Sequence, residues 1–135
     1  MRRRRMKKNA AELIERVRQI ALALDDTTEK ISHGEPALFV TGRMFATFDN
    51  DHHGSGRIAV VCNAPPGAQE ALIEGDPKHF YRPPYLGAGG WIGVNLDTGL
   101  PWPVIADLVR QAHATSVRPR RTTAAPAPPR PRRRR

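Results

Sequence analysis

The chain has 135 residues and a formal net charge of +9, and well over half of its basic residues lie at its two ends. Residues 1–8 hold six Arg and Lys and residues 118–135 hold eight Arg, whereas residues 9–117 hold eight Lys and Arg against all 13 Asp and Glu, a formal charge of −5. This length predicts one domain, and the single cysteine, Cys62, excludes an intrachain disulfide and a thiolate metal cage. No stretch has the apolar length of a secretory signal or a membrane span, so we expect a cytoplasmic protein that does not bind membranes.

The first predicted element is an amphipathic helix over residues 9–24, where apolar residues recur at spacings of three and four. Asn9 is positioned to act as its N-cap. Strand-forming residues then occur in three segments, which are residues 36–40, 43–48 and 57–62. Thr41-Gly42 predicts a tight turn between the first two of these strands.

The second half of the chain predicts a short helix, a strand and a last helix. Residues 63–66 open the short helix, with a proline near its first turn, and Gly75 lies past its end. The strand covers residues 91–96, and the last helix starts at Pro101. Residues 118–135 contain almost only Pro, Ala, Thr and Arg, a composition that cannot bury a core, so we expect a disordered tail. The predicted organisation is a basic N-terminal tail over 1–8, one α+β domain over 9–117 and this basic C-terminal tail.

Several short motifs occur in an order that is similar to a known family. They are Ser-His-Gly-Glu-Pro at 32–36, Arg-Met-Phe-Ala at 43–46, Pro-Pro-Tyr-Leu-Gly at 83–87 and Gly-Trp-Ile-Gly-Val at 90–94. With them the chain resembles the MmcQ/YjbR family of small bacterial proteins over about residues 10–115. The resemblance implies a CyaY-like fold, an antiparallel sheet of about five strands with flanking helices. It also implies DNA as a partner, because members are often labelled DNA-binding.

The residues themselves offer one candidate nucleic-acid site in the acidic middle of the chain. The segment 78–85 mixes cations with aromatic rings, and cations contact phosphates while rings stack on bases. The residues expected to assist DNA binding from the domain are Lys78, Tyr81, Arg82, Arg43 and Arg57. The alternative is that the aromatic residues of this segment only pack a long loop onto the sheet.

Other polar residues favour structural roles. His33 is expected to bond the turn before the first strand, although a ligand pocket formed by His33, Tyr85 and Trp91 would support a different function. The acids and histidines of residues 49–53 match no standard metal spacing and favour a solvated hairpin loop, so we expect no metal and no cofactor. Cys62 ends an apolar strand and is expected to be a core residue.

The sequence therefore predicts a non-enzymatic protein that binds DNA, with phosphate contacts made without sequence preference and mainly by the basic tails, including Arg120 and Arg121. No catalytic motif is present. The alternative function is a module that binds a small molecule or a protein and does not bind DNA. The other interpretation of the two basic ends is that both are coding artefacts of a GC-rich genome, and translation from Met6 would remove Arg2 to Arg5.

Overall fold

The computed structural model describes residues 2–51 and 54–117, with side chains from Asn9 onward. Within these residues the chain forms three α-helices, six strands and one short 3-10 helix. In chain order they are α1 (Arg2–Leu22), β1 (Thr27–Ser32), β2 (Glu35–Val40), β3 (Arg43–Asn50), β4 (Ile58–Cys62), α2 (Ala68–Gly75), β5 (Phe80–Tyr81), the 3-10 helix (Leu86–Gly89), β6 (Ile92–Asn95) and α3 (Trp102–Ser116). The predicted α+β class is confirmed.

The six strands form one antiparallel sheet in the order β1-β2-β3-β4-β6-β5, so β1 and β5 are its two edges. Two-residue turns join the first three strands, with positive φ at both His33 and Gly34 and at both Thr41 and Gly42. Positive φ at both central residues is the type I′ geometry that matches the twist of paired strands. The tight turn predicted at Thr41-Gly42 is confirmed.

The helices cover one face of the sheet. The buried side chains of α1 and α3 join one hydrophobic cluster with alternate strand residues, among them Leu38, Val60 and Val94. Cys62 belongs to this cluster and is fully buried, as the sequence predicted. Arg18 of α1 further ties the helix to the edge strand β1, because its guanidinium donates two hydrogen bonds, of 2.5 and 2.6 Å, to the Glu29 carboxylate.

None of the three α-helices within residues 2–51 and 54–117 packs on the other face of the sheet, and we call it the open face. Ala37, Ala59 and Val61 lie on it, and they are buried although they are not part of the main cluster. The register places Asp49, Ala59 and Asn95 in one row across the open face, and Val61, Gly93 and Tyr81 in the next.

Three details differ from the sequence prediction. Asn9 is not an N-cap, because the backbone is helical from Arg2 and the boundary expected at residue 9 lies inside α1. Arg, Lys and Met are good helix formers, so the basic run continues the helix. Strands β1 and β5 were not predicted: β1 is short of apolar residues, with Ile31 its one large one, and β5 has two residues.

Candidate nucleic-acid interface

Tyr81 lies flat against the neighbouring strand at the β5 edge of the sheet. It pairs with Gly93 of β6, and a Cβ atom placed on Gly93 would lie only 2.3 Å from Tyr81 Cε1. A side chain at position 93 would therefore collide with the ring. Gly93 is required here for a close approach rather than for its backbone dihedral angles.

Arg57 completes a layered arrangement over this ring. Its guanidinium carbon lies 3.8 Å from the centroid of Tyr81, a cation–π contact, and its Nη1 donates a 3.3 Å hydrogen bond to Asn95 Oδ1. The amide of Asn95 in turn donates to the Lys78 carbonyl at 3.2 Å. The sheet thus brings Arg57, 24 positions away in sequence, to the segment that the sequence singled out.

A buried carboxylate fixes the outer end of the Tyr81 ring. Asp49 is 8% exposed and accepts hydrogen bonds from the Tyr81 hydroxyl at 2.9 Å and from the Ser55 hydroxyl at 2.8 Å. Burial, and then the nearby Asp49 carboxylate, raise the pKa of Tyr81. The phenol therefore stays protonated as a hydrogen-bond donor at neutral pH, and it is not poised to act as a base.

A buried side-chain amide of α2 holds the connection from β5 to β6 in place by hydrogen bonds. Gln69 of α2 is 3% exposed, and its Nε2 donates to the carbonyls of Gly87 at 2.8 Å and Trp91 at 2.6 Å. Arg82 is exposed, and its Cγ would lie 2.6 Å from a Cβ placed on Gly87. The Arg82 side chain therefore follows the surface of this anchored loop.

Tyr85 stands at the tip of the same loop with 93% of its surface exposed. Its φ of 62° and ψ of −64°, with a 2.6 Å hydrogen bond from the Leu86 N–H to the Pro84 carbonyl, form a γ-turn of the rare strained type. The expectation that the aromatic residues of 78–85 only pack the loop is thus met by Phe80, which is 4% exposed, and not by Tyr85.

We call Lys78, Tyr81, Arg82 and Arg57 the β5 edge cluster. Arg43 does not join it, because Arg43 begins β3 whereas Arg57 follows the loop at the far end of that strand. Seven residues of strand separate these two ends, about 24 Å. Arg120 and Arg121 lie outside the described residues.

The pocket predicted from His33, Tyr85 and Trp91 is not assembled. His33 is exposed in the β1–β2 turn, where its Nδ1 lies 3.1 Å from Ser32 Oγ, and that turn is at the β1 edge. Tyr85 and the half-buried Trp91 flank the β5–β6 connection at the opposite edge. A concavity of about 350 Å³ does occur near the β1 edge, lined by Arg18, Glu29, Lys30, Ile31 and Pro36.

The described residues offer little metal or nucleophile chemistry. Asp51 Oδ1 accepts the Gly56 N–H at 2.8 Å, which gives this acid a turn-forming role, and His52 and His53 lie outside the described residues. Residues 2–51 and 54–117 contain no group of three or more metal-binding side chains. Burial raises the pKa of Cys62 to about 12, so its thiol is not a reactive thiolate. No helix in these two ranges has the length and apolar character to cross a bilayer.

Four residues of the interface were missed from the sequence, namely Asp49, Gln69, Gly93 and Asn95. Asn95 lies between the apolar residues Val94 and Leu96, and Asp49 follows the buried Phe48 near the end of β3. A polar residue that is buried beside apolar ones signals a hydrogen-bonding role. Gln69 carried no such signal, because the apolar residues Ala68, Leu72 and Ile73 predict the buried side of this helix and Gln69 is polar.

The comparisons with known proteins agree with this fold. A family model described as YjbR matches residues 22–115. The crystal structure of the Deinococcus radiodurans protein DR2400, with the family-model domain DUF419, is similar at a TM-score of 0.65 and 18% sequence identity, over 76% of this chain and 76% of that one. At this identity the similarity concerns the fold alone. No curated protein sequence matches the chain.

Proposed function

The chain belongs to the YjbR family, as its motifs predicted, and we propose that it is a non-enzymatic protein that binds DNA. In this proposal the basic ends of the chain and the β5 edge cluster contact phosphates. The observation that carries the proposal for the domain is the position of Arg57 on the Tyr81 ring, next to Lys78 and Arg82. Three cations from two separate segments therefore lie at one edge of a domain whose overall charge is negative.

The geometry suits phosphate contacts better than catalysis. Lys78 and Arg82 are exposed, and the Tyr81 hydroxyl and the Asp49 carboxylate are already committed to each other. The Asp49 carboxylate is buried and accepts hydrogen bonds from two hydroxyls within the domain, so it is not exposed on the surface that a phosphate would approach. Arginine and lysine side chains in such a position fix a nucleic-acid backbone without reading its sequence.

The C-terminal basic segment supplies the larger electrostatic contribution. Residues 118–135 carry eight arginines, and each phosphate that an arginine neutralises releases condensed counterions. The affinity for duplex DNA should therefore fall steeply as the salt concentration rises. A chain of this composition binds without sequence preference.

The test compares the full-length protein with a chain ending at Val117, by titrating a fluorescent DNA duplex at several salt concentrations. We expect the full-length protein to bind, and the truncated chain to bind more weakly, with a log K against log salt slope that is smaller by up to about 7. Absence of binding by the full-length protein at low salt would refute the proposal. Equal slopes for the two proteins would refute the role of the C-terminal segment.

The alternative function, a small-molecule or protein-binding module, is supported by the concavity beside β1. Ile31 lies next to it with 71% of its surface exposed, and the Arg18–Glu29 ion pair forms part of its lining. A concavity that combines an apolar side chain with a few fixed polar groups is the general form of a small-molecule site. The same titration separates the two functions, because this alternative predicts no DNA binding.

A further inference from the structure

We propose that Tyr85 stacks on an unpaired nucleobase, so that the protein prefers single-stranded DNA to duplex DNA at the β5 edge cluster. This inference rests on the proposed DNA-binding function and specifies its substrate. It is carried by three observations at Tyr85: its exposure, its backbone conformation and the anchoring of the loop that holds it.

The exposure of Tyr85 is not a requirement of packing. The ring is 93% exposed, while Phe80 in the same segment is 4% exposed and Tyr81 is covered by Arg57. An aromatic ring in water loses the free energy that burial would give it. Tyr85 therefore contributes almost nothing to the folded core, and its ring face remains available for contact with another molecule.

The backbone at Tyr85 is strained in a way that a glycine would relieve. A residue with a side chain at φ 62° and ψ −64° costs of the order of 1–3 kcal/mol, and such residues persist where the surroundings hold them in place. Here the Gly87 N–H donates to the Pro83 carbonyl at 2.9 Å, and the amide of Gln69 holds the Gly87 carbonyl at 2.8 Å. Strained residues of this kind cluster at active sites and ligand-binding sites.

The loop also holds the ring in advance of binding. Two prolines precede Tyr85, and proline fixes its own φ and restricts the residue before it. The 3-10 helix Leu86–Gly89 begins directly after it, and at the end of that helix the Gly90 N–H donates a 3.0 Å hydrogen bond to the Gly87 carbonyl. Little backbone conformational entropy remains to be lost when the ring contacts a partner, which favours binding.

The surroundings of Tyr85 indicate a nucleic acid rather than an apolar partner. Arg82 lies three positions before it, and Tyr81, which carries the Arg57 guanidinium, lies four positions before it. Four residues of extended chain span at most about 14 Å. One DNA strand can therefore contact these cations through its phosphates while a base from the same strand lies on the ring.

Stacking on a protein ring requires a base that is not already stacked on both sides. In a duplex each base pair is covered by its neighbours, whereas a single strand can turn a base outward onto an aromatic side chain. Phosphate contacts are open to both forms. Tyr85 therefore supplies preference for the single strand, and the cations supply affinity for both.

The experiment uses full-length protein, a fluorescent 20-nucleotide oligothymidine and a mixed-sequence duplex of the same length, at one salt concentration. Tyr85→Ala should weaken binding of the single strand by about 5- to 100-fold and change duplex binding by less than about twofold. Tyr85→Phe keeps the ring and should bind both DNAs like the wild type. Thermal unfolding of each variant verifies that the domain is folded.

Three outcomes would overturn the inference. If Tyr85→Ala binds the single strand as tightly as the wild type, the ring does not stack on a base. If it weakens both DNAs equally, the residue contacts the backbone shared by both forms. If the wild type binds neither DNA, the proposed function itself is wrong and the inference fails with it. The first two results leave DNA binding intact, so the two failures are distinguishable.

Discussion

Gly93→Ala tests the packing of Tyr81 at the β5 edge. A Cβ at this position would lie 2.3, 2.4 and 2.7 Å from three carbon atoms of the Tyr81 ring. All three distances are far inside van der Waals contact, and because Gly93 itself lies in the middle of a pairing row, the backbone there cannot retreat. The ring must move instead.

The expected loss of stability follows from the two interactions that the Tyr81 ring loses when it moves. It gives up the hydrogen bond from its hydroxyl to the buried Asp49 carboxylate and its contact with the Arg57 guanidinium. A hydrogen bond to a charged group is worth about 1.5–3 kcal/mol and an exposed cation–π contact about 0.5–1 kcal/mol. We therefore expect Gly93→Ala to lower the free energy of unfolding by about 2–4 kcal/mol.

Urea denaturation followed by circular dichroism measures this loss, with Gly75→Ala as the matched control. A Cβ on Gly75, the last residue of α2, would meet no atom within 4 Å. The free energy of unfolding of this variant should therefore rise by about 0.4–1 kcal/mol. The midpoint of thermal unfolding should likewise fall for Gly93→Ala and rise for Gly75→Ala. If Gly93→Ala is as stable as the wild type, the ring does not lie against β6 and the geometry assigned to the β5 edge cluster is wrong.

Other substitutions test the loop and the β1 edge. In urea denaturation Tyr85→Gly should be more stable than Tyr85→Ala by about 1 kcal/mol, because glycine relieves the strain at positive φ. The reverse order of stability would show that the backbone at residue 85 is unstrained. Gln69→Leu should lower the free energy of unfolding by about 2 kcal/mol, because two loop carbonyls lose their hydrogen-bond donor. Hydrogen exchange of the backbone amides over residues 83–91 should accelerate, and unchanged exchange would contradict the anchoring role. The Arg18 hydrogen bonds lower the pKa of Glu29, so the ion pair stabilises the fold fully above the ordinary pKa of 4.5, and this stabilisation decreases as the pH falls from 4.5 through the lowered pKa. Glu29→Gln should therefore be less stable than the wild type at pH 7 and should approach it at pH 3, and a pH-independent difference would refute this.

Local signals in the sequence were sufficient for much of the fold. The turn at Thr41-Gly42 and the buried strand ending at Cys62 were both predicted, because turn residues and continuous apolar runs are properties of neighbouring residues. Strand β1 was missed for the converse reason. Its stability comes from six register pairs with β2, and its own residues are mostly polar.

The candidate site required contacts between distant segments. Lys78, Tyr81 and Arg82 were predicted together, since they are neighbours in the sequence. The contact of Arg57 with Tyr81 depends on the pairing of β4 with β6 and of β6 with β5, which no local pattern specifies. For the same reason the sequence grouped His33 with Tyr85, although the strand order places them at opposite edges of the sheet.

The most direct test of DNA binding by the domain compares two double variants of the full-length protein. Lys78→Gln/Arg82→Gln removes two exposed cations from the β5 edge cluster, and Arg43→Gln/Arg110→Gln removes two exposed cations elsewhere, so both variants have the same net charge. The salt dependence of duplex DNA binding is then measured for each. We predict that the log K against log salt slope becomes smaller by about 2 for the first variant and stays at the wild-type value for the second. Equal slopes for the two variants would contradict a DNA-binding edge on this domain.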